Sequence, residues 1–194
     1  DREQARQIAL QSLRLAVIIG AAVAVFGLWS AEFLMRLLML FQEQMDLEVV
    51  RLGTVYLRIL WGSMVIGNLL FTGNAILQGA GDMKTPMYVM AVVNLTNIAL
   101  NLVLVFGAGP IPALGVAGAG WAGAIARILG GLLVTAILFS RHSAVPLQRP
   151  ARVRSDWTIV RQILDIGLPA AGENLVRQAS QILYAMLIAG LGTL

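Results

Sequence analysis

Long apolar stretches separated by short polar segments dominate the chain. From Ile59 to Gly81, 23 consecutive residues carry no charge, and from Thr85 to Ala126 there are 42 such residues. A run of about 20 apolar residues is long enough to cross a bilayer as one helix. The first run therefore predicts one membrane-spanning helix. The second predicts two, with a break at the Gly- and Pro-containing segment 107–112.

Along the whole chain, the pattern predicts five spans. Four of them cover about residues 9–30, 52–78, 86–106 and 115–139, and the fifth begins at Gly167-Leu168-Pro169. Residues 31–41 place apolar side chains at helical spacing, which predicts an amphipathic helix on the membrane surface. Ser155 is expected to cap a second, short amphipathic helix before the fifth span. The predicted fold class is all-α, a polytopic membrane helix bundle.

The composition agrees with a membrane location. Of the 194 residues, 58% are hydrophobic and 12% are charged, whereas soluble domains carry about 25% charged residues. The chain has no cysteine, and its one histidine, His142, lies in a predicted loop. Motifs of zinc peptidases, serine hydrolases and phosphate-binding loops are absent from the sequence. We therefore expect no enzyme activity, no bound metal and no cofactor.

Basic residues are distributed unevenly between the two sides of the predicted spans. Nine lie in the first 14 residues and in the segments 79–85 and 140–168, whereas the other side has only Arg36 and Arg51. Cytoplasmic loops of membrane proteins carry the excess of Lys and Arg. This favours membrane flanks over nucleic-acid binding as the reason for the basic charge. It predicts that 79–85 and 140–168 are cytoplasmic in a multi-pass protein of the cell (inner) membrane.

Both ends of the chain look interrupted. The first residue is Asp1 rather than Met, no signal-peptide pattern follows it, and the last three residues lie within an apolar run. We expect the chain to be a piece of a larger membrane protein.

Amide and hydroxyl groups inside the predicted spans are candidates for a substrate or ion pathway. Asn94, Asn97 and Asn101 recur at i, i+3 and i+7, and so share one face of the third span. Amides are costly against lipid, so this face is expected to meet other helices or water. Interhelical hydrogen bonding and a polar cavity wall both fit the spacing. Asn68 and Thr72, one turn apart in the second span, are expected to line the same cavity.

Charged residues inside the predicted spans are further candidates. Glu173 and Arg177 lie at i and i+4 in the fifth span, in the order that favours an ion pair. A structural pair and a carboxylate that couples transport to a cation are both consistent with this spacing. Arg127 lies beside a stripe of small residues in the fourth span, where such residues favour close helix packing. We expect its side chain to extend toward the cytoplasmic side, near Ser140.

Three segments of the chain, in this order, resemble the multidrug and toxic compound extrusion (MATE) family. Residues 78–86 (QGAGDMKTP) resemble its "QGAGDTKTP"-like cytoplasmic loop. Residues 114–119 (LGVAGA) resemble the "LGVAGAA" start of a helix, and residues 166–171 (IGLPAA) resemble its "LGLPAA" segment. The resemblance covers essentially the whole chain in the order of the family.

The resemblance implies a transporter of twelve helices in two six-helix lobes. Residues 1–139 would form part of the first lobe, 140–167 the cytoplasmic linker with its short amphipathic helix, and 168–194 the start of the second lobe. The implied function is a secondary antiporter that exports drugs or cationic and amphipathic organic compounds in exchange for Na⁺ or H⁺ by alternating access. The implied partners are a small organic substrate and the lipid bilayer, with no nucleic acid, for a monomeric protein.

The site residues of the family carry over in part. One branch has an Asn-x-x-x-Asp pair in the fifth helix, and here Asn97 matches the Asn whereas Asn101 stands where the Asp would be. A threonine often found early in the sixth helix is Gly123 in this chain. Other branches use an acid in the seventh helix. Glu173 is such an acid, although it lies nearer Pro169 than the acid of the sodium-coupled bacterial branch does.

Two other functions remain as alternatives. A lipid-linked oligosaccharide flippase has the same architecture, but its phosphate-bearing substrate favours a central cavity rich in Arg and Lys, and mid-membrane cations are few here. A membrane scaffold or receptor that transports nothing is the alternative from a different class. The asparagine face of the third span argues against it.

Overall fold

The computed structural model describes residues 2–39, 47–108, 112–140, 147 and 157–191. The described residues form six α-helices: α1 (Arg2–Met39), α2 (Leu47–Gly62), α3 (Met64–Gly79), α4 (Lys84–Phe106), α5 (Gly115–Leu138) and α6 (Trp157–Leu191). The predicted all-α class is confirmed. The chain divides into two compact units, Asp1–Val153 and Arg154–Leu194.

Three of the described helices are long and apolar enough to cross a membrane: α1 over Gln4–Leu37, and α4 and α5 over their full lengths. Helices α2 and α3 meet the same criterion together, as one span bent by 48°. The bend falls at Ser63, whose hydroxyl donates to the carbonyl of Leu60 at 2.8 Å. Helix α6, over its described residues, does not meet the criterion. The predicted fifth span therefore stays a prediction.

The prediction of a separate surface helix at residues 31–41 is wrong. Helix α1 continues without a break to Met39, and the remaining two residues of the predicted segment lie outside the described part. The side of this segment that packs on α2 contains Ala31 and Met35, whereas Phe33 and Leu37, two of the apolar positions at helical spacing, are 67% and 41% exposed. Ala31 is fully buried, and the sulfur of Met35 lies 2.8 Å from the position that a Cβ on Gly53 would take. The contact with α2 thus falls on a different side of the helix from Phe33 and Leu37.

The predicted break between a short amphipathic helix and a fifth span is also wrong. Helix α6 runs continuously from Trp157 through Gly167 and Pro169 to Leu191. Proline removes one hydrogen bond from the helical ladder, but the residues on both sides of it still adopt helical geometry. Ser155, the predicted cap, lies outside the described residues. This helix does not test whether residues 1–139 belong to a first lobe, 140–167 to a linker and 168–194 to a second lobe. That assignment stays a prediction.

The turn between α3 and α4 depends on Gly81 and Asp82. Gly81 has φ +87°, a conformation that glycine adopts without steric cost. The Asp82 carboxylate accepts a hydrogen bond from the backbone N–H of Thr85 at 3.0 Å, so Asp82 satisfies one of the free donors in the first turn of α4. Hydrogen bonds from the side chain and backbone of Thr85 hold the pKa of Asp82 below its ordinary value of 3.8. The carboxylate is therefore ionised at neutral pH and remains an acceptor.

Helix α5 packs against α2, α3 and α4 through its small residues. A Cβ on Gly118 would meet the backbone carbonyl of Leu104 in α4, and a Cβ on Gly131 would lie 2.7 Å from the carbonyl oxygen of Ile66 in α3. The close packing predicted from the small residues of the fourth span is confirmed. The buried apolar cluster comprises Ala9, Leu13, Leu70, Leu77, Val89, Val93, Ala126, Val134, Leu138 and Leu147.

Candidate functional site

A polar cluster of Asn97, Asn101 and Arg127 lies between α4 and α5. The side-chain amide nitrogen of Asn101 donates to two oxygens of Asn97, the backbone carbonyl at 2.9 Å and Oδ1 at 3.1 Å. Nδ2 of Asn97 lies 3.7 Å from the position that a Cβ on Gly123 would take. Nη2 of Arg127 lies 3.4 Å from the same position. The side chains from α4 and α5 thus converge beside Gly123.

The Arg127 side chain extends through the interior of the bundle. Its Cδ lies 3.7 Å from the position that a Cβ on Gly67 of α3 would take, and its guanidinium lies beside Gly123. Its Nε and Nη2 atoms are buried and have no hydrogen-bond partner in the part of the chain that the structure describes.

The predicted extension of Arg127 toward Ser140 is wrong, because the side chain points the other way along α5. Helical side chains lean toward the N-terminus of their helix, and Gly123 is one turn before Arg127 in that direction. The absence of a side chain at Gly123 leaves room for the guanidinium. This direction of lean, together with a glycine four residues earlier, is the sequence signal that would have placed Arg127 correctly.

The three asparagines of α4 differ in their surroundings. Asn97 and Asn101 are half-buried and hydrogen-bonded to each other, whereas Asn94 is exposed. The cluster therefore contains two of the three residues that the i, i+3, i+7 spacing placed on one face. The predicted role of all three in a substrate or ion pathway stays a prediction.

Asn68 and Thr72 lie on the side of α3 that faces α1. Nδ2 of Asn68 is 3.0 Å from the position that a Cβ on Gly20 would take. Thr72 lines a mainly apolar crevice of about 410 Å³ between α1 and α3. Both residues thus lie apart from Asn97 and Asn101 in the described residues, and their role in a substrate or ion pathway stays a prediction. Successive helical residues differ by about 100° in direction, so Gly67 approaches Arg127 while Asn68 turns toward α1.

Glu173 and Arg177 form the ion pair that their spacing predicted. Nη2 of Arg177 lies 2.8 Å from Oε1 of Glu173, and both side chains are largely exposed, at 65% and 73% respectively. Because it joins residues one turn apart in a single helix, the pair contributes only about 0.2–0.5 kcal/mol to helix stability. A role of Glu173 in coupling remains a prediction.

Asn74 of α3 is a polar core residue that was not among the predicted pathway residues. It is 6% exposed, and its Oδ1 has no hydrogen-bond partner among the described residues. It follows Gly73, whose Cβ position lies against Val134 and Leu138 of α5. The sequence signal that could have identified Asn74 is an amide directly after a glycine within a largely apolar span.

Residues 1–103, which extend from α1 through most of α4, match the model of the MatE family. This match covers more than half of the chain. The chain belongs to the MatE family. The resemblance inferred from the sequence is thereby confirmed. The family is one of multi-pass membrane proteins and not of enzymes.

Curated relatives of this MatE chain include two bacterial proteins of greater length. This chain is 29% identical over 192 residues to a probable multidrug resistance protein NorM of Thermotoga maritima. The match covers 98% of this chain and 40% of the relative. The chain is also 29% identical to the uncharacterized transporter YisQ of Bacillus subtilis, covering 99% of this chain and 41% of the relative. The chain thus spans about two fifths of the length of the relatives that it matches.

A solved structure has the same fold. It is an inward-facing conformation of a multidrug resistance MATE family transporter of the MOP superfamily. The TM-score is 0.76 at 29% sequence identity, over 87% of this chain and 36% of that one. The helical bundle described above therefore has the architecture of a MATE transporter.

Proposed function

We propose that the protein carrying this chain is a secondary antiporter that exports drugs or cationic and amphipathic organic compounds in exchange for Na⁺ or H⁺. Family membership supports transport as the function, and the observation that carries the proposal is the polar cluster of Asn97, Asn101 and Arg127. In apolar spans, polar groups of this kind mark substrate or ion paths. Alternating access requires such groups to be exposed to one side of the membrane at a time.

The two helical units supply different parts of the proposed mechanism. The α4–α5 cluster offers hydrogen bonds to a substrate from within the first unit. Glu173, in α6, offers a carboxylate whose only described ionic partner is Arg177, one turn away in the same helix. A coupling group must change its protonation or ion occupancy between states, and a pair that contributes little to stability allows that change. We propose Glu173 as the coupling carboxylate.

The proposed partners are a small organic substrate and the lipid bilayer, for a protein that acts as a monomer and binds no nucleic acid. A lipid-linked oligosaccharide flippase is disfavoured by the charge of the spans. Within α3, α4 and α5, the described residues include two cations, Arg127 and, at the first residue of α4, Lys84. A phosphate-bearing substrate favours a cavity with several Arg and Lys side chains.

Transport is tested by ethidium efflux from an efflux-deficient bacterium that expresses the protein. Cells loaded with ethidium and then energised should lose fluorescence faster than cells carrying an empty vector. Collapse of the Na⁺ and H⁺ gradients with ionophores should remove the difference. Export that persists without either gradient would exclude antiport. If several cationic dyes show no export at all, the proposed substrate class is wrong.

The proposed sidedness is tested by labelling of single cysteines introduced into this chain, whose 194 residues contain none. Ala80 lies exposed in the α3–α4 turn, and Leu114 lies exposed before α5. We expect Ala80→Cys to react with a membrane-impermeant maleimide only in opened cells, and Leu114→Cys to react in intact cells. Ala122→Cys, at a fully buried position, is the control and should stay unlabelled. Labelling of Ala80→Cys in intact cells would reverse the topology.

A further inference from the structure

A cleft between α1 and α2, here called the arginine cleft, is lined by three arginines. It has a volume of about 300 Å³, and its charged lining residues are Glu32, Arg36, Arg51 and Arg58. The Glu32 carboxylate accepts a hydrogen bond from Arg36 at 2.6 Å. Arg51 and Arg58 are exposed, and neither has an ion-pair partner among the described residues. The cleft therefore has an excess of positive charge, which attracts an anion.

The arginine cleft lies near one boundary of the membrane. The described span of α1 ends at Leu37, directly after Arg36. Helix α2 begins one turn before Arg51, and Arg58 lies seven residues further along it, a rise of about 10 Å. Helical side chains lean toward the N-terminus of their helix, so the side chain of Arg58 extends back toward Arg51. The guanidinium groups are therefore near the depth at which phospholipid headgroups carry their phosphates.

Exposed apolar side chains accompany the arginines. Leu47 and Val55 line the same cleft and are 75% and 40% exposed. A soluble phosphate would leave this apolar surface uncovered, whereas an amphiphile would cover it while its anionic group meets the arginines. The combination favours a phospholipid over a free anion.

The same face of α2 leads to a second cleft. Arg51, Val55, Arg58 and Gly62 recur at helical spacing and form one stripe along the helix. Arg58 and Gly62 also line a mainly apolar cleft of about 390 Å³ between α2 and α5, whose wall on the α5 side includes Trp121. The stripe is about 16 Å long, close to the hydrocarbon thickness of one leaflet, which is about 15 Å. One acyl chain therefore fits along it.

We propose that the arginine cleft binds one anionic phospholipid. Arg51 and Arg58 hold the phosphate, since the guanidinium fork matches phosphate oxygens, and one acyl chain lies along the α2 stripe toward the second cleft. A zwitterionic lipid carries a cation in its headgroup as well, which the excess positive charge of the cleft disfavours. The site gives the first unit a selective contact with anionic lipid, and it does not depend on the proposed antiport.

Native mass spectrometry of the purified protein in detergent, titrated with phosphatidylglycerol, counts the bound lipids and measures their affinities. We expect one phosphatidylglycerol to bind more tightly than the rest, and phosphatidylcholine to bind at this site at least about tenfold more weakly. The double variant Arg51→Gln, Arg58→Gln should weaken phosphatidylglycerol binding about thirtyfold. Each single variant should weaken it about fivefold, the contribution of one basic residue near an anionic surface.

A matched control removes an arginine from another helix. Arg161 of α6 is 77% exposed and lines neither of the two clefts. Arg161→Gln should therefore bind phosphatidylglycerol as the unmodified protein does. Because Arg51 and Arg58 are exposed, their variants should elute in size-exclusion chromatography like the unmodified protein. If the double variant does not fold, the two single variants decide.

Glycerol 3-phosphate carries a phosphate without acyl chains and so distinguishes a lipid site from a site for soluble anions. An excess of it should leave phosphatidylglycerol bound, because burial of the chains adds to the affinity of the lipid. Displacement by glycerol 3-phosphate would assign the cleft to soluble phosphates and overturn the lipid site. Equal phosphatidylglycerol binding by the double variant and the unmodified protein, or equal binding of the two lipids, would overturn it as well. Since ethidium efflux is measured separately, failure of this site is distinguishable from failure of the proposed antiport.

Discussion

Gly118→Ala is expected to leave little correctly folded protein in the membrane. A Cβ at this position would meet the backbone carbonyl of Leu104, with the carbonyl carbon 2.6 Å away. The same carbonyl oxygen accepts the N–H of Leu114 at 2.9 Å. Since a backbone cannot move aside as a flexible side chain can, α4 and α5 must separate. The expected cost is about 3 kcal/mol or more, at the upper end for overpacked sites.

Thermal unfolding in detergent, followed by size-exclusion chromatography, measures this effect. Gly172→Ala is the matched control, because it makes the same change in a helix where nothing lies within 4 Å of the new methyl group. The control should elute and unfold like the unmodified protein. A Gly118→Ala protein with an unchanged melting temperature would show that α4 and α5 do not pack at this distance.

Glu173→Gln is expected to abolish ion-driven export while leaving the protein folded and inserted. Glutamine keeps the size of the side chain and its hydrogen-bonding capacity, but cannot bind or release a proton and carries no charge for Na⁺. Little stability should be lost, because the pair with Arg177 is largely exposed. The measurement is ethidium uptake into inverted vesicles under an imposed Na⁺ or H⁺ gradient.

The control for this substitution lies in the same helix. Asp165→Asn removes a carboxylate whose contact with Arg161 is longer, at 3.9 Å, and whose side chain is also exposed. It should retain the export rate of the unmodified protein. Normal gradient-driven export by Glu173→Gln would assign the residue to a structural pair and place the coupling group elsewhere in the protein.

The membrane-spanning helices could be predicted, because an uncharged apolar run of about 20 residues crosses a bilayer as an α-helix. The spans at 86–106 and 115–139 correspond closely to α4 and α5. The bend at Ser63 was not predicted, because the uncharged run continues through it, although Gly62-Ser63 is a Gly/Ser pair of the kind at which helices kink. The amphipathic pattern after Ala31 was visible, but periodicity alone does not tell whether an apolar face meets lipid or another helix.

The sequence indicated individual residues of the candidate site, but not which helices bring their side chains together. The spacing of Asn97 and Asn101 indicated a shared face, and their hydrogen bonds agree with it. Which helix that face meets depends on the crossing of α4 and α5, which small residues such as Gly118 permit but do not specify. The same limit applies to Asn68, whose direction toward α1 follows from tertiary packing.

Antiport is tested by measuring coupled flux in proteoliposomes. Purified protein is reconstituted, ethidium is placed outside, and an outward gradient of Na⁺ or of H⁺ is imposed while dye uptake and ion efflux are recorded together. We predict that dye enters only when one of these ions leaves, and that Glu173→Gln stops both fluxes. Dye movement at the same rate without either ion gradient would contradict antiport.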